Sequence, residues 1–122
     1  MKDVLKICDE IREVAYAIHR YFGHGHLEKV YENSMMNRLS KMGFSVKQQV
    51  PITVQDEDRT VVGEYVADLL VNDELIIELK AVDAICVAHT AQILGYLRAT
   101  GLSHGLLINF GAARFQIKKY IL

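Results

Sequence analysis

Two acidic residues and a lysine lie close together in a strongly apolar part of the chain. Asp68 follows Tyr65-Val-Ala, and Glu78 and Lys80 flank Leu79 in Ile76-Ile-Glu-Leu-Lys. In a strand, two-residue spacing places Glu78 and Lys80 on one face, and a turn at Asn72-Asp73 can bring Asp68 opposite them. Two carboxylates and a lysine at a sheet edge suit Mg²⁺ or Mn²⁺, which prefer oxygen ligands. The alternative is structural, with a buried Lys–Glu pair or with acids pointing out of a half-buried strand.

More polar side chains lie at helical spacing on either side of this segment. His89, Gln92 and Tyr96 recur at steps of three and four, so they share one face of an otherwise apolar helix, and that face is expected to line a cleft. Glu28 and Glu32 are four residues apart in an earlier helix. For these two acids, a solvent-exposed face or a favourable interaction of Glu28 with the helix dipole is the structural alternative.

The hydrophobic periodicity predicts three helices and five strands in the order ααβββαββ. This order indicates an α/β fold with a mixed central sheet, built as one domain over residues 1–122. Pro51 indicates an edge strand or a bulge. The predicted helices cover Val4–Tyr21, Leu27–Met42 and Ile85–Thr100, and the predicted strands cover Phe44–Val54, Thr60–Val71, Leu75–Val82, Leu106–Phe110 and Phe115–Ile121.

Composition excludes several classes of protein. The chain has 122 residues, of which 51% are hydrophobic and 24% charged, so a disordered chain is excluded. The net charge of −1 excludes a uniformly basic nucleic-acid coat. With no signal peptide, no membrane-spanning stretch and two isolated cysteines, we expect a cytoplasmic protein with reduced thiols.

Charge is nevertheless distributed unevenly along the chain. Residues 64–84 carry six acids against Lys80 alone, whereas residues 85–122 carry four basic side chains and no acid. Carboxylates that stay near a core need a cation or a hydrogen-bond partner, and a divalent metal ion is one such cation. The basic side chains are candidates for phosphate contacts. They are Arg98, Arg114, Lys118 and Lys119.

Several motifs in a fixed order carry a resemblance to a known family. They are Gly25-His-Leu-Glu28-Lys-Val-Tyr31, Gly63-Glu-Tyr65-Val-Ala-Asp68, Ile77-Glu78-Leu-Lys80, His89-Thr-Ala-Gln92-Ile-Leu-Gly-Tyr96 and Gly105-Leu-Leu-Ile-Asn109-Phe-Gly111. Over residues 10–120 the chain closely resembles the GxxExxY protein family, which looks like a minimal branch of the PD-(D/E)xK, or restriction-endonuclease-like, nucleases. The resemblance implies an αβββαβ core, here with an extra N-terminal helix. Ala67 stands where proline often precedes the first acid.

The resemblance also implies roles for individual residues. Asp68 and Glu78 match the acidic metal ligands, Lys80 matches the catalytic lysine, and the backbone carbonyl of Leu79 is an expected further ligand of Mg²⁺ or Mn²⁺. Glu28 matches an acid that some branches add to the site. Gln92 and Tyr96 match a Q-x-x-x-Y element that contacts DNA or supports the lysine.

Three readings of function follow from these residues, and the third is a structural homodimer or interaction protein that associates through its apolar first helix. The first is a metal-dependent nuclease that hydrolyses phosphodiester bonds, with DNA favoured over RNA. The second is a module of the same fold that binds nucleic acid or a protein partner with little or no turnover. Because clustered basic side chains are few, we expect a homodimer or a partner protein to supply part of the affinity for nucleic acid.

Overall fold

The computed structural model describes residues 3–122, and the elements follow the predicted order ααβββαββ. The helices are α1 (Val4–Phe22), α2 (Glu28–Lys41) and α3 (Val87–Thr100), and the strands are β1 (Val46–Gln55), β2 (Val61–Val71), β3 (Leu75–Lys80), β4 (His104–Asn109) and β5 (Gln116–Ile121). The bounds differ from the predicted ones by no more than two residues at any end. The predicted fold class is confirmed.

Helix α1 shows how local sequence sets the bounds of an element. The side chain of Asp3 accepts a hydrogen bond from the Leu5 backbone N–H at 3.1 Å, which caps the first turn. Gly23 ends the helix with a φ of 69°, and its N–H donates to the His19 carbonyl at 2.8 Å. The left-handed φ explains why glycine stands there. Between these ends, Ile7, Ile11 and the other apolar residues at helical spacing are buried.

The five strands form one mixed sheet in the order β1-β2-β3-β4-β5. Strands β3 and β4 are parallel, and the other neighbouring pairs are antiparallel. A parallel pair needs a crossover connection, and α3 supplies it between β3 and β4. The short link from β2 to β3 passes through Asn72 and Asp73, whose φ values of 53° and 56° are left-handed, as a tight hairpin turn requires.

Helices cover both faces of this sheet, and each face has its own hydrophobic cluster. On one face α1 and α2 pack against alternate strand residues such as Leu69, Ile77 and Ile108. On the other face α3 packs through Tyr96 and Leu97 against residues such as Ile52 and Ile76. On β3 adjacent residues thus point to opposite layers, as a pleated strand requires, whereas on β2 Ala67 and Leu69, two residues apart, belong to different layers. Glu78 and Lys80 alternate with the α1–α2 cluster, so they belong to the α3 side.

The hairpin of β1 and β2 extends beyond the rest of the sheet. Strand β2 pairs with β1 along nearly its whole length, but it pairs with β3 only over Leu69–Val71. Strand β1 is an edge strand, so Pro51 lies where its missing N–H is tolerated, as predicted. On the N-terminal side of Leu69, β2 therefore separates from β3, and Asp68 lies at the point of separation.

The remaining sequence expectations concern membranes and thiols. Within residues 3–122 no helix is long and apolar enough to cross a membrane. Cys8 is buried, Cys86 is exposed, and neither forms a disulfide. The cytoplasmic location expected from composition stays a prediction.

Candidate active site

Asp68 and Glu78 connect β2 to β3 at the point where the two strands separate. The Asp68 backbone N–H donates to Glu78 Oε1 at 2.9 Å, and the Leu79 backbone N–H donates to Asp68 Oδ2 at 2.8 Å. These two side-chain bonds replace the regular backbone ladder, which stops at Leu69 and Ile77. These backbone groups thus fix Oε1 of Glu78 and Oδ2 of Asp68. The predicted pairing of Asp68 with Glu78 across the hairpin is present.

The carboxylates at this position lack enough positive charge to balance them. Burial, reinforced by the charge of Asp68, raises the pKa of Glu78 to about 8. Burial also raises the pKa of Asp68, against the effect of the Leu79 N–H bond. Burial and the nearby Asp68 charge raise the pKa of Glu28. An added cation would therefore stabilise the ionised form of these acids.

Lys80 is held by a short relay of side chains on α3. Its Nζ donates to Gln92 Oε1 at 2.8 Å, and Gln92 Nε2 donates to the Tyr96 hydroxyl at 2.8 Å. Lys80 makes no ion pair within 4.0 Å with any acid of residues 3–122, so its charge is not neutralised by a direct partner. The structure thus brings Gln92 and Tyr96 to the lysine, and the predicted shared face of α3 does line the site.

His89 lies on the same predicted face but has a different role. Its Nδ1 accepts from the Cys86 backbone N–H at 3.1 Å and so caps the start of α3. The bond satisfies a backbone donor at the start of the helix, where the first turn has donors that need an acceptor, and the expectation that His89 faces the cleft stays a prediction. Helical spacing alone does not separate a cap from a site residue.

Glu28 is the first residue of α2, and a structured turn sets its position. The Tyr31 hydroxyl donates to the Gly23 carbonyl at 2.6 Å and accepts from the His26 backbone N–H at 3.2 Å. The Tyr31 ring stacks on Phe110 with centroids 4.6 Å apart. Gly25 has a φ of 110°, which favours glycine. The glycine and tyrosine of the G-x-x-E-x-x-Y motif thus shape and anchor the turn that precedes Glu28.

Glu32, Gln48 and Gln49 form a part of the site that the sequence did not indicate. Glu32 is 2% exposed, so the expectation of a solvated face for this residue was wrong. Gln49 Nε2 donates to Glu32 Oε1 at 2.7 Å, and Gln48 Nε2 and Lys29 Nζ donate to Glu32 Oε2 at 2.7 Å and 2.9 Å. A buried carboxylate with three donors is well satisfied.

Gln49 also reaches the acids at the strand separation. Its Nε2 lies 3.4 Å from Asp68 Oδ1, so one amide joins Glu32 to Asp68. The backbone of Gln49 has a φ of 53°, which is unusual for a residue other than glycine. The only sequence signal was a pair of adjacent glutamines in a strand that otherwise alternates, and that pattern is too common to single out a site.

Oxygen donors dominate the ligands available to a metal ion here. Asp68 and Glu78 offer carboxylates, and Leu79 offers a backbone carbonyl between Glu78 and Lys80. Within residues 3–122 no three Asp, Glu, His or Cys side chains already surround a common metal position. Two carboxylates and a carbonyl completed by water still match Mg²⁺ or Mn²⁺, because Mg²⁺ is usually held by one or two carboxylates and keeps several waters.

The four predicted phosphate contacts are distributed over three parts of the fold. Arg98 is on α3, Arg114 is in the loop between β4 and β5, and Lys118 and Lys119 are neighbours on edge strand β5. No hydrogen bond or ion pair within residues 3–122 joins any of them to the site acids. The structure thus leaves their role as a prediction.

Comparisons with known proteins bear on the fold. A family model described as the PD-(D/E)XK nuclease superfamily matches residues 5–120. The crystal structure of SSO0001 superposes with a TM-score of 0.62 and 17% identity, covering 96% of this chain and 60% of that one. The chain therefore spans about three-fifths of the length of that structure, and this likeness concerns the fold alone. A comparison with curated proteins gave no match.

Proposed function

Because the chain belongs to the PD-(D/E)XK nuclease superfamily, we propose that it is a nuclease that uses Mg²⁺ or Mn²⁺ to hydrolyse phosphodiester bonds of nucleic acid, DNA in preference to RNA. The observation that carries the proposal is the pairing of Asp68 and Glu78 across the separated strands, beside a lysine held by Gln92. We also assign the chain to the GxxExxY branch, on the motif of Gly25, Glu28 and Tyr31.

The proposed metal ligands are Asp68, Glu78 and the backbone carbonyl of Leu79, with Glu28 as an additional acid. When bound, the ion lowers the pKa of a coordinated water and neutralises charge on the phosphodiester. The hydrogen bonds that Asp68 and Glu78 accept from backbone N–H groups fix one oxygen of each carboxylate. Preorganised ligands of this kind avoid the cost of rearranging when a substrate arrives.

Lys80 and its partners on α3 are proposed to act on the phosphate. With Gln92 Oε1 accepting one of its hydrogens, the Lys80 ammonium has two more to donate to the attacking water or to a phosphate oxygen. The Tyr96 hydroxyl accepts from Gln92, so its own hydrogen is available to a substrate oxygen. The hydroxyl keeps that hydrogen at neutral pH, since burial raises the pKa of Tyr96 further above its ordinary value of 10.0.

The decisive experiment is cleavage of a labelled panel of single-stranded, double-stranded and branched DNA and of RNA with Mg²⁺ or Mn²⁺. Wild type is assayed beside Glu78→Gln and Lys80→Ala purified in the same way. We expect both variants to lose at least about a hundredfold in rate, because each removes a group that acts on the reacting atoms.

Each other outcome has a defined meaning. Equal cleavage by all three proteins would indicate a contaminating nuclease. No cleavage by wild type would favour the alternative of a module that binds nucleic acid or a protein partner without turnover. The low number of clustered cations is the feature that favours that alternative, and a homodimer or a partner protein would then supply binding.

A further inference from the structure

A groove beside the candidate site is unexplained by the chemistry proposed above. It lies between the projecting end of the β1–β2 hairpin and α3, and it encloses about 670 Å³. Tyr65 on β2 and Gly95 and Arg98 on α3 line it. Proteins that bind single-stranded nucleic acid combine aromatic rings, on which bases stack, with basic side chains along a groove.

Tyr65 connects this groove to the site. Its ring centroid lies 5.3 Å from that of Tyr96. The Tyr96 hydroxyl in turn accepts from Gln92, which holds Lys80. The Tyr65 side chain is 46% exposed, so part of its ring remains available to a ligand. A polymer that has a phosphate at Lys80 would therefore have its neighbouring nucleotide within reach of Tyr65.

Gly95 has no structural reason to be glycine. It lies in the interior of α3, where glycine is among the least favourable residues. A Cβ built at this position would have no atom within 4 Å, and the backbone φ is not left-handed. Neither close packing nor an unusual backbone conformation therefore requires the glycine. What the glycine does provide is an unobstructed helix surface at the wall of the groove.

Arg98 supplies the positive charge. It is exposed, lies three residues after Gly95, and makes no hydrogen bond or ion pair with any of residues 3–122. Asp56 is the acid that lines the same groove. Its Oδ1 accepts from the Glu57 backbone N–H at 2.8 Å within the hairpin turn. Because the groove holds one cation and one acid, it suits a single phosphate rather than a long run of backbone.

We propose that this groove is a subsite for one unpaired nucleotide, whose base stacks on Tyr65, whose sugar and base edge pass over Gly95, and whose phosphate contacts Arg98. The proposal rests on the proposed nuclease function and deepens it. A base inside a duplex is already stacked on its neighbours, so it cannot lie on Tyr65. The substrate class is therefore a single strand or the frayed end of a duplex, in DNA or in RNA.

The test measures binding by fluorescence anisotropy with labelled single-stranded DNA, single-stranded RNA and blunt duplex DNA. Every variant is made in a Glu78→Gln parent so that the oligonucleotides stay intact. We expect Tyr65→Ala to weaken single-strand binding about tenfold, since stacking of one base on an aromatic ring has that size of effect. Arg98→Ala should lower the slope of log affinity against log salt by about 0.7, the value for one phosphate contact on a single strand.

Gly95 provides the sharpest variant because folding and binding should respond in opposite directions. Gly95→Leu should keep or raise the melting temperature, since leucine favours a helix, and should weaken single-strand binding by blocking the groove. Two matched controls should leave binding unchanged. Tyr16→Ala removes a tyrosine on α1 that is 46% exposed, as Tyr65 is, and that contacts Phe115. Lys41→Ala removes an exposed cation at the C-terminal end of α2.

The outcomes separate this inference from the proposed function. If the parent binds single strands but Tyr65→Ala, Arg98→Ala and Gly95→Leu bind them equally well, the subsite is overturned and the nuclease proposal stands. Equal loss of duplex and single-strand affinity in Tyr65→Ala would also overturn it. A parent that binds no nucleic acid overturns the subsite, and the cleavage panel then decides the nuclease proposal separately.

Discussion

The carboxylate of Glu78 accepts a hydrogen bond from the backbone N–H of Asp68 at 2.9 Å, in the place where a strand ladder would otherwise continue. The reciprocal bond runs from the Leu79 N–H to Asp68 Oδ2. The two side chains that are proposed as metal ligands thus also hold β2 and β3 together where the sheet opens. The site and the opening of the sheet therefore depend on the same two side chains.

The first prediction concerns the pH dependence of stability in the metal-free protein. The pKa of Glu78 rises from 4.5 to about 8 on folding. Between these values the folded state keeps a proton that the unfolded state has lost, so stability falls as pH rises through this window and is constant above it. The fall should amount to several kcal/mol, since each unit of pKa difference corresponds to about 1.4 kcal/mol.

Glu78→Gln provides the test of that prediction. Glutamine keeps an oxygen that accepts from the Asp68 N–H but carries no titrating group. With EDTA present, urea unfolding from pH 5 to pH 9 should show that the variant becomes more stable than wild type as pH increases. Parallel curves for the two proteins would contradict the prediction. Added Mn²⁺ should stabilise wild type far more than the variant, because binding to the folded state alone raises its stability.

The second prediction assigns a positioning role to Gln49. Gln49→Leu removes the amide that joins Glu32 to Asp68 while leaving a side chain of similar size. We expect a loss of about tenfold in Mn²⁺ affinity and in cleavage rate, as is typical when a partner of a metal ligand is removed. Calorimetric titration of Mn²⁺ measures the first effect, and it does not depend on finding the substrate.

Gln48 is the matched control for Gln49. Gln48→Leu also removes one donor to Glu32, but its amide has no contact with Asp68 in the structure. It should change the melting temperature about as much as Gln49→Leu and should leave Mn²⁺ affinity nearly unchanged. Equal losses of affinity in both variants would assign the effect to Glu32 and remove the specific role of Gln49.

The third prediction concerns Asn109, which supports the segment after Lys80. Asn109 is fully buried. Its Oδ1 accepts from the Val82 and Gly111 backbone N–H groups, and its Nδ2 donates to the Val82 carbonyl and to Gln116. Asn109→Leu would leave several buried polar groups without a partner, and we expect it to cost about 3 kcal/mol or more. Urea unfolding measures this directly.

Gln116 gives the comparison for that variant. Gln116→Leu removes one of the four bonds of Asn109 at a half-buried position and should cost less than about 1.5 kcal/mol. If Asn109→Leu cost no more stability than Gln116→Leu, the hydrogen bonds of Asn109 would not be what holds the segment after β3 in place. The backbone at Val82 also lies close to Gly111, where a Cβ would be 2.2 Å from the Val82 nitrogen.

The sequence by itself determined the elements and the core of the site. Periodicity of apolar residues, the turn at Asn72 and Asp73 and the spacing of Glu78 and Lys80 are local properties, since each depends on the geometry of a few adjacent residues. Asp68, Glu78 and Lys80 are therefore identifiable as a candidate site from residue type and spacing. The helical spacing of Gln92 and Tyr96 was enough to place them on one face for the same reason.

Tertiary structure alone decided which other side chains share that site. Glu32 is buried because Gln48 and Gln49 come from a strand that is far from it in sequence, and nothing in a helical pattern reveals that contact. The groove of Tyr65 and Arg98 exists because β2 leaves the sheet at Asp68 and passes beside α3. Such contacts join residues distant along the chain, so their geometry follows from packing and not from local spacing.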